Sequence, residues 1–110
     1  MSVIKLVQND TAPDIDVTLD DQSTGAPFDV SNAGDVVRFH FKKVGALVPK
    51  ATIICSKPNG GADGAVRISW GADDLDTPGD YEGEIQISLN TGKITSVYNV
   101  LRFIVRPQVG

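Results

Sequence analysis

The stretch Asp76-Thr77-Pro78-Gly79-Asp80-Tyr81-Glu82-Gly83-Glu84-Ile85-Gln86-Ile87-Ser88-Leu89 decides the fold. From Tyr81 onward it has period two. Tyr81, Gly83, Ile85, Ile87 and Leu89 share one face, and Glu82, Glu84, Gln86 and Ser88 take the other. That alternation is the pattern of a half-buried strand. Working outward, it recurs at Ile15, Val17 and Leu19, at Val37, Phe39 and Phe41, and at Val66, Ile68 and Trp70. Leu101, Phe103 and Val105 repeat it near the end of the chain, alternating with Arg102, Ile104 and Arg106. Residues 3–7, 51–55 and 94–98 are shorter candidates, rich in the β-branched residues that strands favour. Turn signals separate these runs: residues 20–25, the glycine-rich residues 58–64, and Asn90-Thr91-Gly92-Lys93, which reads as a hairpin turn with glycine at positive φ. No capped amphipathic helix is visible, and residues 72–75 offer one helical turn at most. The expectation is an all-β, antiparallel β-sandwich of seven to eight strands, forming one domain over residues 1–110.

The residues before Tyr81 refine this. A Tyr opening a late strand, with Gly79 two residues back and aspartates nearby, resembles the tyrosine corner of immunoglobulin-like sandwiches. Gly83 stands where antibody domains carry a cysteine, and Trp70 precedes the corner instead of lying on an earlier strand. The fold expected is therefore immunoglobulin-like without a disulfide. Trp70, Tyr81, Phe39 and Phe41 are the expected structural core.

Composition sets further bounds. The chain has 110 residues, 41% of them hydrophobic and 22% charged, which is enough for one core. A net charge of −4 argues against a dedicated nucleic-acid binder, which needs a basic face. No apolar run approaches the roughly 20 residues that span a bilayer, and the first residues do not show a signal peptide's apolar stretch. The single cysteine, Cys55, cannot form an internal disulfide.

Catalytic constellations are not visible. His40, the one histidine, alternates with Phe39 and Phe41 and falls on the outer face between Arg38 and Lys42, with no second histidine to share a metal or a triad. Cys55 reads as a small buried apolar residue. The glycine-rich residues 59–64 precede a strand, whereas a phosphate cradle precedes a helix. Asp73, Asp74, Asp76, Asp80, Glu82 and Glu84 form an acidic cluster for which turn chemistry and solvated strand positions are the first explanation, with calcium binding and then a glycosidase-type acid and base pair behind it. The expectation is no enzyme, no cofactor and no metal site.

Charge is segregated along the chain. Residues 36–57 carry Arg38, Lys42, Lys43, Lys50 and Lys57 without an acid, a sum of +5; residues 73–84 carry six acids without a base, a sum of −6. If these segments lie on different edges, the molecule has a basic and an acidic side suited to protein contacts. The candidate interaction face is accordingly Asp73, Asp74, Asp76, Asp80, Glu82 and Glu84 with Arg38, Lys42 and Lys43. Carbohydrate or host-surface binding is the alternative. Such sites need exposed aromatic side chains, and with the others on core faces, Tyr98, Phe28 and Phe103 are the candidates.

Residues 3–13 (VIKLVQNDTAP), 28–33 (FDVSNA), 37–42 (VRFHFK), 64–70 (GAVRISW), 76–84 (DTPGDYEGE) and 91–94 (TGKI) follow one another in an order that resembles the N-terminal domain of phage baseplate upper proteins and small stand-alone phage proteins similar to it. The resemblance covers residues 3–105. It implies a non-catalytic immunoglobulin-like module, located in the virion, assembled in the host cytoplasm and bound to other virion proteins of capsid, tail or baseplate. Because the sequence ends at Gly110, soon after the last strand, a decoration or cement role is expected rather than that of an adaptor with its own receptor-binding part. No nucleic-acid or membrane partner is expected, and the module could be oligomeric in the particle.

Overall fold

A computed structural model describes residues 3–20, 25–96 and 100–109. The eight strands are β1 (Val3–Val7), β2 (Ile15–Thr18), β3 (Val36–Lys43), β4 (Ala51–Ile54), β5 (Ala65–Ile68), β6 (Gly79–Ser88), β7 (Ile94–Ser96) and β8 (Leu101–Arg106). Five coincide with runs of alternation in the sequence, and β1, β4 and β7 with the three shorter candidates. Residues 72–75 form a turn, and no helix occurs among the described residues. The Asn90–Lys93 turn closes as expected: Gly92 has φ of 90°, and Leu89 N–H donates to the Lys93 carbonyl.

The larger sheet runs β1-β8-β6-β3-β4, and β2 and β5 form a second sheet. β6 is the spine. One edge pairs with β3 along its whole length, from Val36 opposite Ser88 to Lys43 opposite Tyr81. Its other edge is shared, with β8 against its first half and β7 against its last residues. The sheet departs from the antiparallel expectation in one place: β1 and β8 are parallel, with Val3 beside Arg102 and Val7 beside Arg106. Parallel neighbours need a long crossover. Here nearly the whole domain lies between them.

Two layers share one core. Val37, Phe39, Phe41, Ile85, Ile87, Phe103 and Val105 of the large sheet join Val66 and Ile68 of the small sheet in a single buried cluster, with Trp70 just beyond β5. The chain changes layer at Cys55 and Ser56. Cys55 N–H donates to Val37 in one sheet, and Ser56 exchanges both backbone hydrogen bonds with Arg67 in the other.

Aromatic rings fill the middle. Phe41 stacks on Tyr81 with centroids 4.4 Å apart and planes 9° from parallel. Trp70 meets Phe41 edge-on at 5.0 Å and Phe103 at 5.8 Å. Edge and offset geometries suit the ring quadrupoles and add about 0.5–1.5 kcal/mol per pair beyond burial. The polar ends of these rings are satisfied: Trp70 Nε1–H donates to the Pro13 carbonyl (3.1 Å) and Tyr81 O–H to the Thr77 carbonyl (2.6 Å). The latter bond is the tyrosine corner expected from the sequence.

The packing requires a glycine at position 83. A Cβ built there would collide with the Phe39 ring and lie 3.1 Å from a Phe103 ring carbon. Aromatic rings therefore occupy the space above this backbone position. Gly83→Ala should destabilise the domain by about 1–3 kcal/mol through overpacking, and Trp70→Ala by about 3–5 kcal/mol through the cavity it leaves. Urea unfolding followed by circular dichroism measures both; a wild-type midpoint for either variant would contradict this packing.

Candidate docking surface

The expected core residues Trp70, Tyr81, Phe39 and Phe41 are all buried. Phe103, a candidate sugar platform, is 1% exposed, because its parity along β8 is the inward one. Phe28 packs against the core, and Tyr98 lies outside the described residues. Cys55 is buried, and desolvation pushes its thiol up to about 11, so it holds its proton at neutral pH. His40 is half-buried on the outer face, its Nδ1 3.3 Å from Thr52 Oγ1 and its Nε2 3.5 Å from Gln86 Oε1.

The two charged segments do not form opposite sides of the molecule. They supply β3 and β6, which are neighbours, and antiparallel pairing sets Lys42 beside Glu82 and His40 beside Glu84. Lys42 Nζ is 3.7 Å from Glu82 Oε1, and Arg102 Nη1 is 3.9 Å from Glu82 Oε2. Arg38 Nη1 donates to Ser88 Oγ. The outer face is therefore a mosaic of alternating sign. Such exposed pairs contribute only about 0–1 kcal/mol each, but they leave little net field over the sheet.

The carboxylates of Asp74 and Asp76 are likewise engaged. Asp74 Oδ2 accepts the Gly71 N–H at 2.7 Å and closes the turn. Asp76 Oδ1 is 2.6 Å from Lys50 Nζ, which also donates to the Asp73 carbonyl at 3.3 Å. Among the described residues no three His, Cys, Asp or Glu side chains converge on a possible metal position.

Lys50 has a consequence that the linear sequence conceals. It clamps the base of the β3–β4 hairpin to the 72–76 turn, while its N–H donates to Phe41 and Val44 N–H donates to Asp80. From this fixed base the loop raises Leu47, 98% exposed, and Val48, 71% exposed. Beside the hairpin lies a groove of about 260 Å³ on the outer face, lined by Val44, Asp80, Ile104, Arg102 and Val3. The sequence reading missed this apolar loop because residues 44–49 follow neither a strand nor a helix period.

The opposite end of the sandwich is closed by polar bonds. The buried Asp35 accepts the Asn90 N–H through Oδ1 (2.9 Å), and Lys57 Nζ donates to the Asp35 and Asn32 carbonyls. In the glycine-rich loop, a Cβ at Gly64, where φ is 76°, would strike the Leu19 carbonyl. Gly61, whose Cβ would lie 2.8 Å from the Val30 carbonyl oxygen, and Gly64 serve close backbone packing.

No family model matches this chain, and the curated proteins include no match to it. Among the described residues no helix is long and apolar enough to cross a membrane.

The Lys50–Asp76 clamp gives a pH dependence. Lys50, followed by Thr77, holds the Asp76 carboxyl below its ordinary 3.8, and Asp76 raises Lys50 above 10.5. The pair's stabilising effect should be complete between those two values. It is lost as pH falls through the lowered Asp76 value or rises through the raised Lys50 value. The carboxyl carbon of Asp76, followed by NMR, should titrate below 3.8 in the wild type and return toward 3.8 in Lys50→Met. An unchanged midpoint would mean that the clamp is not formed in solution.

Proposed function

We propose that the protein is a non-enzymatic structural module of a phage virion that binds other virion proteins, as a capsid or tail decoration, a cement or a baseplate-type attachment. The virion context rests on the sequence resemblance described above. The binding role rests on one observation: the β3–β4 hairpin presents Leu47 and Val48 to solvent from a base fixed by Lys50 and Val44. Full burial of an aliphatic side chain of this size is worth about 1.5–3 kcal/mol. A loop already fixed in shape loses less entropy when it docks. A buried free thiol is compatible with assembly in a reducing host cytoplasm.

Leu47→Asp tests this reading. The side chain has no packing role, so the purified variant should keep the wild-type urea midpoint. In particles made by a phage carrying the variant, copies of the chain should fall about tenfold or more relative to the major capsid protein, counted by quantitative mass spectrometry. Wild-type occupancy would remove the hairpin tip from the docking role. Absence of the unmodified chain from wild-type particles would remove the virion reading itself.

A further inference from the structure

The outer sheet face around Ile104, beside the hairpin, has a property that the tip lacks: its unpaired charges are complementary to themselves. Ile104, 41% exposed, lies on the outer face of β8. On one side its register neighbour is Asp80 of β6, and on the other it is Lys5 of β1. Both side chains are exposed, and neither has an ion-pair or hydrogen-bond partner among the described residues. This sets them apart from the neutralised Lys42, Glu82 and Arg102 nearby. The acid and the base stand two strand spacings apart, about 10 Å, with an apolar residue midway.

We infer that this face pairs with the same face of a second copy, about a two-fold axis running along β8. A rotation about that axis keeps positions along the strand and exchanges left for right. Ile104 then faces Ile104 of the second copy, and each Asp80 faces the other's Lys5. A two-fold in the interface plane that keeps Ile104 opposite Ile104 but runs perpendicular to β8 would set Asp80 against Asp80, so with that contact kept, charge selects the axis along the strand. Arg102, on the axis strand, has its own Glu82 on one side and receives the second copy's Glu82 on the other. Val3, 42% exposed at the sheet edge, shares the register of Arg102 and comes opposite the second copy's Glu82. An isologous contact needs this reciprocity, in which residue i meets j and j meets i. Each hairpin projects past the other copy's β1 edge, so the tips stay available to a third protein.

Sedimentation velocity on the purified chain, over a concentration series reaching about 0.5 mM, tests the pairing. The wild type should show a reversible monomer–dimer equilibrium. Lys5→Glu and Asp80→Lys each set like charges across the axis, and each should raise Kd about tenfold or more. Mixing the two single variants supplies the decisive measurement. In the mixed pair, the glutamate introduced in one copy faces the lysine introduced in the other, and the unaltered Asp80 of the first faces the unaltered Lys5 of the second. The heterodimer should therefore recover an affinity near wild type. Local damage to either fold would not be repaired by mixing. A wild type that stays monomeric throughout, or a mixture that stays monomeric, overturns the proposal. Neither result bears on the Leu47 tip, which lies outside this contact.

Discussion

Phe41 lies flat on Tyr81, and the rest of the molecule is arranged around that stack. It joins the inner faces of β3 and β6, the two longest strands. Trp70 reaches it from beyond β5 and Phe103 from β8, so both layers converge on the same rings. The backbone of the stacked residues also carries the surface features. The Phe41 carbonyl accepts from Lys50 at the base of the hairpin, and the Tyr81 hydroxyl ties the 77–81 segment into the corner. Gly83 is the condition for this packing, because any larger residue would claim the space of Phe39. The two layers are thus joined by packed rings and one absent side chain, without a disulfide.

The surface follows from the same pairing of β3 with β6. A basic strand beside an acidic one cancels charge locally, so segregation along the chain becomes neutrality in space. The cancellation is incomplete: among the described residues Glu84, Asp80 and Lys5 carry no ion pair. Lys5 and Asp80 flank Ile104, and the hairpin stands above them with two aliphatic side chains in water. Apolar exposure concentrated at one end of a small domain is what the proposed docking role would use.

Most of the architecture was legible in the sequence because the long strands have one buried face, and period two is the direct trace of that condition. Tyr81 and its corner were legible because the bond is local, reaching back only to Thr77. Pairing was not. Periodicity tells which way a side chain points and nothing of its lateral neighbour, so the parallel β1–β8 contact and the interleaving of Lys42 with Glu82 were beyond reach. Phe103 was considered for the surface although its alternation with Arg102 and Ile104 already placed it inside. Asp35 was one carboxylate among fourteen until the fold brought the Asn90 N–H to it. The hairpin escaped notice because a loop of Val, Gly, Ala, Leu and Pro carries no period at all.

The parallel β1–β8 ladder also determines how the domain bears load. A pull entering at the N-terminal end of β1 and leaving at the C-terminal end of β8 draws the two strands in opposite directions along their shared axis. The hydrogen bonds between them, evenly spaced as in any parallel pair, are then strained together rather than opened one by one from an end. Rupture must break the whole ladder at once, as a lap joint fails and a zip does not. In the virion setting proposed above, a shell under internal pressure or a contracting tail would stress a tethered module in this direction, along which the sheet is strongest.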